Sequence, residues 1–182
     1  MTLLIIGLIL WWGAHIFKRV APDARARMGD KGKGVFALLL LLSVILMVIG
    51  YRGADFIPVY TPPSWTVHLV DLFMIAAIAL FGLGKSKSTL RGKLRHPQLT
   101  GFGLWAFLHL IVNGDLASVV LFGGLLLWVF VQIPLINRAE PAPAPWKGGS
   151  MAGNIRLLVI SLVLYAIIAG IHTWLGVSPF GG

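Results

Sequence analysis

Six times the chain runs for fourteen or more residues that are almost wholly apolar, and no other feature constrains its fold as strongly. These runs cover residues 3–17, 35–51, 65–84, 99–112, 116–136 and 155–174, and hold between them only two charged side chains, Asp71 and Arg156. A bilayer span needs about 20 mostly apolar residues, with a working range of roughly 17–25. The first and fourth runs are short, but both extend at basic ends, where Lys18, Arg19 and Arg95 snorkel to the headgroups. Spans are therefore expected near residues 3–19, 35–51, 65–84, 97–112, 116–136 and 155–174. The predicted fold is all-α, a polytopic bundle of six transmembrane helices forming a single domain over residues 1–182. Composition agrees, with 58% hydrophobic and only 12% charged residues. A soluble domain carries roughly a quarter charged residues.

The net charge of +9 does not point to nucleic acid, because nearly all the Lys and Arg cluster between the apolar runs. Lys18, Arg19, Arg25, Arg27, Lys31 and Lys33 follow the first run, and Lys85, Lys87, Arg91, Lys93 and Arg95 follow the third. Arg138, Lys147 and Arg156 bracket the last connection, and the intervening loops hold only Arg52. Basic loops alternate with nearly neutral ones, as positive-inside retention requires. The predicted topology is N-out and C-out, with membrane lipid as the surrounding partner. The first run is read as a span and not as a cleavable signal peptide, since its charges follow the apolar stretch instead of preceding it. Trp65, Tyr51 and Tyr60 are expected at the outer interface. Residues 140–146, rich in Pro and Ala, read as an extended spacer. No internal repeat is evident, although each half holds three spans. The chain has no cysteine, so thiolate and disulfide chemistry are excluded.

Polar groups inside spans are costly and become functional candidates. Asp71 is the one acid well within a run, which argues against a paired-carboxylate hydrolase or a carboxylate metal site. The available chemistry is histidine, whose neutral imidazole is a good iron ligand. Gly101, Trp105, His109 and Asn113 recur every four residues and share a helix face. The glycine admits a neighbouring helix or a flat ligand, the tryptophan offers a planar wall, and the histidine a ligand or proton carrier. His15 stands one turn after Trp11 and Trp12. His68 and Asp71 sit on one face as a polar pair, His172 lies near the end of the last run, and His96 precedes Pro97 at a helix start. Asn113 and Asp115 are candidate acceptors for the second ring nitrogen of His109, with helix capping the simpler role for Asp115.

Arg95-His96-Pro97, Gly101-Phe102-Gly103, Trp105-Ala106-Phe107-Leu108-His109 and Asn113-Gly114-Asp115 together resemble the NnrU family, and Gly13-Ala14-His15 and the six-span length agree. The resemblance implies a membrane protein linked to nitrite and nitric oxide metabolism, or one similar to the plant 15-cis-zeta-carotene isomerases, which carry haem b. It places the haem iron ligands on His15 and His109, with Trp105 and Gly101 shaping the pocket between the first and fourth spans. A small molecule or a polyene is the implied substrate. The isomerase branch has a cysteine three residues before the second histidine, where this chain has Ala106, so that form of ligand switching is not expected. Along the helix axes, His15 falls about 7 Å and His109 about 18 Å from the basic side. His68 and His172 are therefore the alternative companions of His109. Arg95-His96-Pro97 with Gly101 and Trp105 also resembles membrane methyltransferases that hold S-adenosylmethionine. Those enzymes use acids after the next long span, where this chain offers only Glu140. A third reading is a haem-carrying sensor or assembly subunit without turnover.

Overall fold

A computed structural model describes residues 1–180 of the chain. Its regular elements are helices: α1 (Thr2–Val20), α2 (Pro22–Arg27), α3 (Gly29–Arg52), α4 (Thr66–Leu83), α5 (Pro97–Val112), α6 (Leu116–Ala139) and α7 (Met151–Trp174). Among the described residues α1, α3, α4, α6 and α7 are long and apolar enough to cross a membrane. α5 is apolar but has 16 residues, about 24 Å of helix. Leu38, Leu41, Leu127, Phe130, Leu158 and Val163 lie exposed on the long helices. Water does not cover apolar faces of this extent, whereas lipid does. These are the helices of a membrane-embedded protein.

Two helices outrun their apolar stretches. α3 begins at Gly29, six residues before Val35, because Asp30 suits a helix N-terminus and pairs with Lys33 one turn on, at 2.8 Å. The basic connection before it is itself partly helical, started by Pro22 in the first turn of α2.

The chain divides into two compact units. The first comprises Met1–Tyr60 with Gly114–Glu140, and the second Thr61–Asn113 with Pro141–Gly182. In the first unit α1 packs along α3 through missing side chains. A β-carbon at Gly50 would run into the backbone nitrogen of Leu4, and one at Gly7 would lie 2.8 Å from Ser43 O. Ser43 is fully buried and donates to Leu40 O at 2.7 Å. Lipid gives helices no hydrophobic reason to associate, so backbone approach over small residues supplies the van der Waals contact that does. α6 joins α1 by a hydrogen bond from Trp12 Nε1 to Gly124 O at 3.1 Å. Asp115 caps α6 by accepting from Ser118 N at 2.9 Å. Tyr51 turns inward to Ser118 Oγ at 2.9 Å and packs edge-on to Phe122, whereas Trp65 and Tyr60 are exposed. Of the three aromatics expected at the interface, Tyr51 is thus the half-buried one, its hydroxyl reaching the buried Ser118.

In the second unit α4 packs on α5 around Val70, Ala77 and Leu108, with Met74, Leu104, Trp105 and Ile111 at the margin. The connections at the far end of α4 and the start of α7 are tied by Asn154. Its Oδ1 accepts from Ser88 Oγ at 2.8 Å and Thr89 N at 2.9 Å. Trp146 closes over this junction, donating to Ser88 O at 3.2 Å with the Arg91 guanidinium 4.2 Å above its ring. Residues 141–149 carry no regular structure, as their proline content predicts.

Gly50→Ala should destabilise the protein in detergent by about 1–3 kcal/mol, since the new methyl meets backbone and forces α1 away from α3. Gly34→Ala, which enters open space on the same helix, should leave the thermal midpoint unchanged or slightly raised. Equal losses from both would mean that the Gly50 contact does not set the packing.

Candidate functional site

The two histidines expected as ligands lie in different units, and each is held in the same way. On α1, His15 Nδ1 is 2.9 Å from Trp11 O, one turn back. On α5, His109 Nδ1 is 2.9 Å from Trp105 O, again one turn back. A carbonyl oxygen only accepts, so Nδ1 carries the proton and Nε2 keeps the lone pair. This is the tautomer in which a histidine ligates a metal through Nε2, with its other nitrogen tied down. The imidazole of His15 lies 4.2 Å from the Trp11 ring and 4.7 Å from that of Trp128 on α6. His109 lies 5.0 Å from Trp105, which in turn packs on Phe102 at 5.2 Å. His172 on α7 makes the same backbone bond, to Ile168 O at 2.8 Å, but has no tryptophan at that place.

Each unit therefore contains Trp-x-x-x-His on one helix face, Trp11 with His15 and Trp105 with His109. No repeat was evident from overall patterning, because the shared device is only five residues long. Reading the spacing of tryptophan to histidine directly would have found it.

A model of the NnrU protein family matches residues 3–179. The chain belongs to that family. No curated protein and no solved structure matches it.

The remaining site expectations fare unevenly within this NnrU family member. Gly101 does admit a close neighbour, and the neighbour is helix α4: a β-carbon there would lie 2.7 Å from Ala77 O and 2.9 Å from Leu80 Cβ. Nδ1 of the His109 ring is engaged by its own helix. The Asn113 amide donates to the His109 backbone carbonyl at 2.8 Å, Asp115 is engaged as the α6 cap, and Trp105 O accepts from the ring. A carbonyl on the same helix, one turn back, is already in reach of Nδ1. Asp71 faces Tyr165 of α7, and among the described residues no hydrogen bond or ion pair joins it to His68. His172 is within electrostatic reach of His109 inside the second unit. His96 caps the start of α5, its carbonyl accepting from Thr100 N and Thr100 Oγ1, both at 2.9 Å. Arg95 just before it is exposed. Ala106, where the isomerase branch has cysteine, has no exposure at all.

Arg19 departs from the snorkelling expectation. Its side chain is only 11% exposed and its Nη1 lies 2.6 Å from Glu140 Oε1, because α6 brings a carboxylate to it. Glu140, the one acid available for a methyltransferase-like cofactor, is thereby occupied. One turn beyond Trp128 on α6, Gln132 is 4% exposed and its Oε1 has no hydrogen-bond partner. Arg19 Nε is also buried without one. Sequence reasoning passed over Gln132, although a lone amide in a long apolar run is the signal that marks it.

Among the described residues no three His, Asp or Glu side chains gather as a bare metal ion would need. A haem brings its own equatorial nitrogens and asks the protein for one or two axial imidazoles. The oriented histidines beside planar indoles, with unmatched buried polar atoms near His15, fit that group in their chemistry.

Gln132→Leu should stabilise the ligand-free protein by about 1 kcal/mol, since an unpaired buried amide is replaced by an apolar group of similar size. Thermal unfolding in detergent measures this. A clear loss of stability would mean that the amide already has a partner in the protein.

Proposed function

We propose that this NnrU family protein is a haem b-binding protein of a bacterial inner membrane, with His15 as an iron ligand from the first unit and His109 as one from the second. The observation that carries this reading is the repeated Trp-x-x-x-His device. In both places the backbone commits Nδ1 and leaves the ligating lone pair on Nε2. The i−4 carbonyl fixes the ring's tautomer and raises its basicity. Trp11 and Trp128 beside His15, and Trp105 with Phe102 behind it beside His109, supply planar apolar surroundings for each ring. When bound, haem iron supplies one-electron chemistry. That chemistry suits a redox role in nitrite and nitric oxide metabolism or the cis-trans isomerisation of a polyene, the two activities to which the family resemblance leads. The buried alanine at position 106 offers no sulfur, so ligand exchange in this chain rests on its histidines.

The reading includes six spans with both termini outside. α5 completes the count as a short span, its basic end extended by Arg95 at the headgroups, and the alternation of basic loops sets the direction.

Purified protein should show a Soret band, and its reduced-minus-oxidised spectrum should show b-type α and β bands. His15→Ala and His109→Ala should each abolish or shift those bands, whereas His68→Ala should not. A protein that remains colourless after incubation with haem in detergent overturns the assignment. If it binds S-adenosylmethionine instead, the methyltransferase resemblance becomes the better guide.

Single cysteines introduced into this cysteine-free chain report its direction. Lys31→Cys and Lys87→Cys should react with a membrane-impermeant maleimide only in inverted vesicles, and Asp55→Cys only in right-side-out cells. The opposite pattern would reverse the topology.

A further inference from the structure

The first unit holds a polar site that the proposed iron ligation leaves unused. On α6, Trp128 and Gln132 follow one another one turn apart, and Glu140 is the residue that ends the helix. On α1, Trp11, His15 and Arg19 follow one another at four-residue spacing. The two helices meet at two heights, where His15 lies 4.7 Å from Trp128 and Arg19 Nη1 lies 2.6 Å from Glu140 Oε1. Gln132 stands between those contacts. Its Oε1 is an orphaned acceptor and Arg19 Nε an orphaned donor, both buried. In the low-dielectric interior of a membrane protein, such groups cost several kcal/mol unless something binds them.

We infer that Arg19 and Gln132 form a carboxylate seat, one helical turn from His15, that takes a propionate of the haem. The inference rests on the haem reading. A guanidinium has five N–H donors, and Glu140 engages one of them. The Nε–H remains for a second carboxylate, with the bidentate geometry that arginine favours. The Gln132 amide has no partner that fixes it, so it turns its NH₂ to the same anion. His15 and Arg19 are one turn apart, about 5.4 Å along the axis. The imidazole thus addresses the porphyrin centre while the guanidinium addresses its acidic edge.

Equilibrium uptake of mesohaem and of its dimethyl ester, followed by the Soret band on the full-length protein in detergent, tests this. The wild type should bind the free acid about tenfold more tightly than the ester, a difference of about 1.4 kcal/mol. Gln132→Leu and Arg19→Leu should reduce that preference to about twofold or less, with the Soret position unchanged because the iron ligands are intact. Arg19→Leu strips Glu140 of its partner, so Gln132→Leu, which alters no charge, is the deciding variant. A wild type that takes both porphyrins equally, or a Gln132→Leu protein that keeps the full preference, overturns the seat and leaves the haem reading standing. A wild type that takes up neither removes the haem reading and this inference with it. If oleate but not methyl oleate raises the thermal midpoint of haem-free protein while the porphyrins are not discriminated, the seat belongs to a lipid carboxylate and the propionate assignment is overturned.

Discussion

Hydrocarbon offers no hydrogen bonds, and the protein's polar groups are organised around that lack. Helices satisfy their own backbones, and the polar side chains on them largely turn back onto the same helix. Ser43 donates to Leu40 O, Thr100 to His96 O, Ser161 to Leu157 O and Thr173 to Ala169 O, each three or four residues back. The histidines at 15, 109 and 172 follow the same rule. A side chain that discharges its hydrogen bond locally is free to sit anywhere around the helix. Packing can then be decided by size, as it is where Gly7 and Gly50 let α1 meet α3. Against this background Gln132, a buried amide whose Oε1 meets no donor, stands out.

The same economy bears on function. Tying Nδ1 to the preceding turn costs no additional residue, and it turns an ordinary buried histidine into one with a defined lone pair. A tryptophan at the carbonyl-donating position adds a flat apolar wall in the same stroke. The chain applies this device once in each compact unit. Arg19, which by position alone reads as an interfacial anchor, has its guanidinium drawn into an ion pair because the end of α6 delivers Glu140 to it.

Gly101 illustrates how one residue supports two readings until its neighbour is known. A glycine four residues before a tryptophan and eight before a histidine suits a cofactor pocket and a helix contact equally well. The structure gives the contact to α4, so the aromatic and imidazole groups further along α5 carry the candidate chemistry. Asn113 is a parallel case, since proximity in sequence made it a plausible partner for the His109 ring while the carbonyl of Trp105 was nearer in the helix.

The amino-acid sequence alone determined the all-helical, membrane-embedded character, the approximate helix positions, the cap at Asp115 and the helix start at Pro97. These follow from local properties: apolar run length, side-chain acceptors beside free amides, and the fixed φ of proline. It also marked His15 and His109, through residues that resemble those of the NnrU family. Only the tertiary structure decided that Arg19 and Glu140 pair, that Tyr51 turns inward to Ser118, that Asp71 faces Tyr165 instead of His68, and that Gln132 is buried without a partner. Each of these depends on which helices are neighbours and at what height their side chains meet. Apolar runs of similar composition carry no label for their partners, because lipid-facing and helix-facing leucines look alike in the sequence and differ only once the helices are packed.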